Sequence, residues 1–257
     1  MTKKIAIYNS KGGVGKTTIS VTLSHILAKS GYRVLLIDLD AQRNAAMNFG
    51  VDKEVIRKTF YHLIRLDKDE LSEIDKTKYV YRVRTEEDGF LDVMPNENYS
   101  KINKIASEEA HVFDFLDKYL KPFEEDYDVI MFDCAPTESH IVDAVLCYVK
   151  NLVIPLTPEY LSIAGVTLIY ERLEYLRLDK NIVKAVIPNM MNSTNIAKDN
   201  LRFLTEQFGD IITTPIPKRV AFTEVSQFNA TIWEYQMDSS LRSILNSIVQ
   251  KVVSNIE

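Results

Sequence analysis

Cysteine, glycine and long apolar runs are all scarce in this chain of 257 residues. Its two cysteines, Cys134 and Cys147, are too few for a disulfide framework and wrongly spaced for a four-ligand zinc site. They read as buried, inert thiols in a reducing cytoplasm. No stretch approaches the ~18 consecutive apolar residues of a membrane-spanning helix; the longest clean runs are Val34 to Ile37 and Val129 to Phe132. The N-terminal Met-Thr-Lys-Lys is not followed by an apolar stretch ending in a cleavage site, so this segment is not expected to be a signal peptide. A basic surplus is missing too. Against 31 Lys plus Arg stand 36 Asp plus Glu, a formal net charge of −5, so any nucleic-acid contact has to come from a local patch. With no internal repeat, low-complexity tract or Gly/Ser/Pro linker, the expectation is a single domain over residues 1–257.

What is present is alternation. Ile5–Tyr8, Val34–Ile37, Val129–Phe132, Leu152–Leu156 and Ile182–Ile187 read as strands buried on both faces. Between them, residues 17–30, 139–149, 160–177 and 195–208 are amphipathic and long enough to be crossover helices. The fold class is therefore α/β, a doubly wound and mostly parallel sheet flanked by helices. Residues 51–126 are more charged and less regular. They read as insertions and crossovers, with loops at Asp67-Lys68-Asp69-Glu70 and Glu86-Glu87-Asp88-Gly89 and a strand pair at 79–83 and 90–94.

Only 8 residues are glycine, about 3% where ~7% is usual, yet Gly12, Gly13 and Gly15 fall within four positions. The stretch Asn9-Ser10-Lys11-Gly12-Gly13-Val14-Gly15-Lys16-Thr17-Thr18 follows a strand and opens a helix, the context a phosphate loop requires. Glycines let the backbone curl so that successive N–H groups face an anion, and the helix terminus adds its dipole. Lys16 would then neutralise β/γ-phosphate charge and the Thr17 hydroxyl would coordinate Mg²⁺. Two further strands bring acids to the same edge. Leu35-Leu36-Ile37-Asp38-Leu39-Asp40 ends in carboxylates two residues apart, and Val129-Ile130-Met131-Phe132-Asp133 delivers a third. Asp133 is the candidate to hold Mg²⁺ through a water.

Ser10 stands where the common phosphate loop has its first glycine, and Lys11 follows. In this the chain resembles the deviant Walker A ATPases, with the pattern Lys-Gly-Gly-x-x-Lys-Thr, a family that includes the ParA/Soj partition ATPases and MinD. The resemblance implies that Lys11 reaches across a nucleotide-sandwich homodimer to the partner's phosphates. It implies that Asp40 orients the attacking water and that Asp38 is an indirect partner of Mg²⁺. It places Gly12, Gly13, Val14, Gly15, Lys16, Thr17 and Thr18 around ATP, and Asn189, Ile216 and Pro217 beside the adenine. Asp38 to Ala45 is similar to the family's Asp-x-Asp-Pro-Gln-Gly-Asn, but Ala41 and Arg43 stand where Pro and Gly are usual. Ala135 likewise departs from Asp-Cys-Pro-Pro. Ile154 to Tyr160 and Thr214 to Glu224 also resemble partition-ATPase segments, so the likeness runs along nearly the whole chain.

Among such ATPases the Asp-x-Asp and Gln-x-Asn pattern favours partition. The resemblance then implies ATP-dependent segregation of a plasmid or chromosome. The Mg-ATP dimer would bind nonspecific double-stranded DNA through Lys198, Arg202, Lys218, Arg219 and Arg242, unless these are scattered solvated cations. In the segment Asn192-Ser193-Thr194-Asn195 the chain has Ser193 where relatives often carry an arginine. A ParB-type centromere-binding protein would stimulate turnover, and the location would be cytoplasmic and nucleoid-associated, without a membrane. The helix-turn-helix extension of longer, operator-binding partition ATPases is not expected. The alternatives are a MinD-like membrane-cycling ATPase, which needs a basic amphipathic C-terminal helix where residues 241–257 carry two cations, and a nucleotide-dependent metabolic enzyme on the same fold.

Overall fold

The structure, a computed structural model, describes residues 1–40, 42–52, 54–109, 111–235 and 238–256. The five apolar runs form strands because Val, Ile and Leu pack well on a pleated surface covered on both sides. They become β1 (Lys3–Ile7), β2 (Arg33–Asp38), β5 (Val129–Asp133), β6 (Asn151–Leu156) and β7 (Val183–Pro188), with β3 (Tyr81–Thr85) and β4 (Phe90–Met94) between β2 and β5. The seven strands make one sheet in the order β3-β4-β2-β5-β1-β6-β7. All neighbours pair in parallel except β3 and β4.

The 79–83 and 90–94 pair does form, shifted by two residues on its first strand, and it belongs to the main sheet: β4 runs parallel beside β2. Its turn brings Gly89 against α1 (Lys16–Lys29). A Cβ there would lie 2.3 Å from the Ala28 carbonyl oxygen and 2.7 Å from that of Tyr32, so glycine is required by contact. The Asp67 to Glu70 stretch, expected as a loop, instead caps and opens a short helix: Asp67 accepts from the Glu70 amide at 2.9 Å and Glu70 reaches back to the Asp67 amide at 3.0 Å. That reciprocal capping satisfies two amides at once.

Alternate residues of each strand feed two apolar layers. Leu35, Ile37, Ile130, Phe132, Leu152 and Ile154 face one layer. It is closed by α5 (Tyr99–Glu108), α6 (Val112–Leu120), α7 (His140–Tyr148) and α8 (Tyr160–Tyr175). Ile5, Ile7, Val34, Leu36, Val129 and Met131 face the other, closed by α1, α2 (Asn44–Asn48) and α11 (Ser239–Asn255). The remaining helices are α3 (Phe60–Leu63), α4 (Lys68–Ser72), α9 (Asn195–Phe208) and α10 (Ala221–Glu224). Helix α11 buries Leu241, Leu245, Ile248, Val249 and Val252, so its apolar stripe is spent on the core rather than offered to a lipid surface. Among the described residues no helix is long and apolar enough to cross a membrane.

Candidate nucleotide site

Residue parity fixes the site. Asp38 and Asp133 share the parity of Leu36 and Met131, so both carboxylates lie on the α1 side of the sheet, and the register sets them directly opposite each other. Strand β1 ends beside Asp133, where the chain enters the glycine loop. This is the carboxyl edge of a doubly wound sheet, where such folds bind ligands.

The loop has the backbone that its glycines allow. Gly13 and Gly15 have φ of 75° and 88°, in the left-handed region. At Gly12 and Gly13 an added Cβ would meet nothing within 4 Å, so the loop opens to solvent there. At Gly15 it would sit 2.3 Å from the Asn189 side-chain amide. That amide donates to the Val14 carbonyl at 2.9 Å, so Asn189 at the end of β7 clamps the loop directly. Asn9 holds the other end, accepting from the Lys11 amide at 2.9 Å and donating to the Pro155 carbonyl at 2.7 Å. Gly15 caps α1 without a side-chain hydrogen bond, and no acid lies in the first turn, which leaves the helix N-terminus able to receive an anion.

Two lysines serve this loop differently. Lys16 is 7% exposed, its Nζ donates to the Lys11 carbonyl at 2.9 Å, and burial lowers its pKa against the pull of Asp133, Cys134 and Asp40. A buried ammonium folded back on its own loop is placed to take up an anion. The Lys11 ammonium lies outward, 3.0 Å from Glu159 Oε2.

The carboxylates are distinguished by their partners. Asp38, fully buried, accepts from the Asp40 amide at 3.0 Å and the Ala45 amide at 2.9 Å, so it braces the Asp40 loop as well as facing Asp133. Burial first, and the Asp133 charge second, push its carboxyl well above the usual range. Asp133 is pushed up to about 6, chiefly by burial, against the opposing hydroxyls of Thr17 and Ser20 and the charge of Lys16. Ser20 Oγ donates to its Oδ1 at 2.9 Å, while Oδ2 is buried without a hydrogen-bond partner among the described residues. An orphan buried oxygen costs about 1–3 kcal/mol. Oxygen donors of this kind, with the Thr17 hydroxyl alongside, suit Mg²⁺, which favours oxygen ligands and keeps several waters. Asp40 is half-buried, and its Oδ1 accepts from the Gln42 amide at 3.0 Å. Ala41 lies outside the described residues. Cys134 is buried, and burial pushes its thiol far up, as an inert thiol requires.

Beside the loop, a cleft of about 250 Å³ is lined by Thr18, Asn189, Met190, Pro217, Lys218 and Arg219, together with Phe222 and Thr223. A second, of about 310 Å³, shares Thr18, Phe222 and Thr223 with it. Ile216 lies beneath the first, its amide donating to the Pro188 carbonyl at 2.8 Å. The five cations suggested for DNA divide accordingly. Lys218 and Arg219 line the cleft, and Arg219 is bound to Asp238. Arg242 is stacked on Trp233 at 4.8 Å. Lys198 and Arg202 are exposed on α9, where Arg202 pairs with Asp199 at 3.5 Å. Sequence reasoning missed Ser20, although its place three residues after Thr17 on α1 marks it. It also missed Asn9, the clamping contact of Asn189, and the Arg43–Glu97 pair, which depends on tertiary placement.

The fold and this edge define a P-loop nucleotide-binding protein, and comparison with known proteins narrows the class. The AAA-domain family model AAA_31 matches residues 2–186, and the chain belongs to that family as a ParA/Soj-type P-loop ATPase. It is 29% identical to the sporulation initiation inhibitor protein Soj of Bacillus subtilis, covering 99% of this chain and 100% of that one. To the chromosome-partitioning ATPase Soj of Thermus thermophilus it is 28% identical, covering 99% and 97%. A plasmid partition protein of Borrelia burgdorferi, solved with AMPPNP bound, superimposes with a TM-score of 0.81 at 20% identity, over 100% of both chains. Membership agrees with the motif, and the structural likeness agrees with the expected sheet.

Proposed function

We propose that this chain is an ATPase of DNA segregation, which binds Mg-ATP, dimerises around two nucleotides, engages duplex DNA without sequence preference and is released on hydrolysis. The observation that carries the reading is the pairing of an open glycine loop over a buried Lys16 with a buried Asp133 that has one unpartnered oxygen. Both buried charges lack what a bound magnesium nucleotide would supply. Relatives of near-equal length that carry chromosome-partitioning names support the cellular role.

In this reading the loop amides and the N-terminus of α1 hold the phosphates, and Lys16 swings from the Lys11 carbonyl onto them. Mg²⁺, when bound, would neutralise phosphate charge. Thr17 would hold it directly and Asp133 through a water. Asp40 orients the attacking water and receives its proton, while Asp38 keeps the Asp40 loop in place through two backbone amides. Lys11 leaves Glu159 and reaches the partner's phosphates in the homodimer. Asn189, Ile216 and Pro217 lie beside the base, and Lys198, Arg202, Lys218, Arg219 and Arg242 supply the cations for DNA phosphates. A ParB-type partner would accelerate turnover, and the protein would reside on the nucleoid.

The test is binding to random-sequence duplex DNA with ATP, with ADP and without nucleotide, across a salt series. The reading requires binding with ATP alone that weakens steeply as salt rises. ATP-dependent dimerisation without DNA binding would contradict the segregation role.

A further inference from the structure

Arg43 sits where its side chain is a conformational burden. Its backbone has φ 56° and ψ 35°, in the left-handed region that strains an L side chain and that glycine occupies freely. Residues persist in that region only where their surroundings over-determine them, and such residues concentrate at switch regions.

The surroundings here come from one turn. The Arg43 amide donates to the Asp40 carbonyl at 3.1 Å, and its carbonyl accepts from Met47 at 2.9 Å to open α2. The Arg43 side chain, only 19% exposed, brings its guanidinium to 3.7 Å from Glu97 Oε2. Glu97 lies in the turn between β4 and α5, and the residue before it, Asn96, donates to the Leu39 carbonyl at 3.1 Å. Adjacent residues of this turn thus hold the chain on both sides of Asp40. His62 Nδ1 lies 3.5 Å from Glu97 Oε1, but it already faces the Thr59 amide and hydroxyl at 3.3 and 3.0 Å, so Arg43 is the cation that balances Glu97.

We propose that the Arg43–Glu97 ion pair is a positioning device for hydrolysis: with Asn96 it fixes the loop that presents Asp40, where a glycine would leave that loop free to relax. The inference rests on the reading of Asp40 as the hydrolytic carboxylate. Among the described residues neither Arg43 nor Glu97 hydrogen-bonds to the glycine loop or lines the adjoining clefts. The pair therefore acts on the rate of the chemical step and leaves nucleotide affinity alone.

The experiment is steady-state ATP turnover of the full chain, with nucleotide affinity and thermal midpoint measured alongside, for Glu97→Gln, Arg43→Gly, the double variant, and the reversed pair Arg43→Glu/Glu97→Arg. Asp40→Ala serves as the control. Each single variant is expected to lose about tenfold in kcat, in line with the sensitivity of rates to small misplacements, with ATP affinity unchanged. The double variant should be no worse than either single, since both remove one interaction, and the reversed pair should recover to within about threefold of the parent chain. Arg43→Gly should keep or raise the thermal midpoint while losing rate, which a merely stabilising role would not produce. Singles that turn over at the parent rate beside an inactive Asp40→Ala overturn the positioning role and leave the function standing. Additive losses, or a loss of ATP affinity, overturn it as well. Turnover by Asp40→Ala at the parent rate overturns the parent reading instead.

Discussion

Asp133 and Asp92 are almost equally buried, at 1% and 3% exposure, and the protein treats them in opposite ways. Asp92, on β4, is closed: Arg82 meets both of its oxygens and the Tyr127 hydroxyl donates to Oδ2 at 2.7 Å. Asp133, on β5, has the Ser20 hydroxyl on Oδ1 with the Thr17 hydroxyl nearby, among the described residues no hydrogen-bond partner on Oδ2, and another buried carboxylate opposite it. Burial of a charge is tolerated when the chain itself balances it, and left unbalanced where something else must complete it. The lysines repeat the contrast. Lys29 is paired with Glu86 at 2.9 Å at the far edge, whereas among the described residues the buried Lys16 ammonium makes no ion pair within 4 Å and donates to a backbone carbonyl.

The largest effect is expected from Lys11→Ala, which should retain ATP binding but lose dimerisation and at least about a hundredfold in turnover, the scale of charge-stabilising groups supplied in trans. Sedimentation with ATP and a phosphate-release assay check it, and normal turnover would remove Lys11 from the mechanism. Next comes Asp92→Asn. Opening the closed pair should cost about 2 kcal/mol, less than a fully buried pair would because Arg82 is half-exposed, with turnover per folded molecule unchanged. Denaturant unfolding measures it.

Asp133→Asn should act in the reverse sense on stability. The folded-state pKa of Asp133 lies at about 6, above the ordinary 3.8, so the native state favours the protonated carboxyl. Its contribution to stability is full below about pH 4 and lost as pH rises through about 6. The metal-free variant should therefore be more stable than the parent chain at pH 8 by roughly 1–3 kcal/mol, and not at pH 4. Unfolding at the two pH values in a chelator checks the sign. Destabilisation at pH 8 would mean that Asp133 is as closed as Asp92.

The elements that the sequence announces are those whose physics is local. Val129 to Phe132 is apolar without interruption because β5 is covered on both faces, and the glycine loop is legible because three of few glycines gather between a strand and a helix. The β3–β4 hairpin is half-legible. Arg84 and Thr85, polar residues on an edge strand, fall outside the expected 79–83 run, and nothing local shows that β4 joins β2. Helices α5 and α6 hide in the charged 51–126 stretch, where exposed Lys and Glu cover the outer face while Ile102, Phe115 and Leu116 make the inner one. Of the candidate site, Lys16, Asp38 and Asp133 are legible from position in the motif and strand. Ser20 is marked only by its helical spacing from Thr17, and Asn189 as a loop clamp and Glu97 are not legible, because each acts on a residue far away in the chain.

The open charges of Lys16 and Asp133 call for a magnesium nucleotide. Isothermal titration of ATP, with and without Mg²⁺, into the parent chain and Lys16→Ala tests it most directly. Binding to the parent chain should be Mg²⁺-dependent and one-to-one, and the variant should not bind. Equal binding by both, or binding indifferent to Mg²⁺, would contradict it.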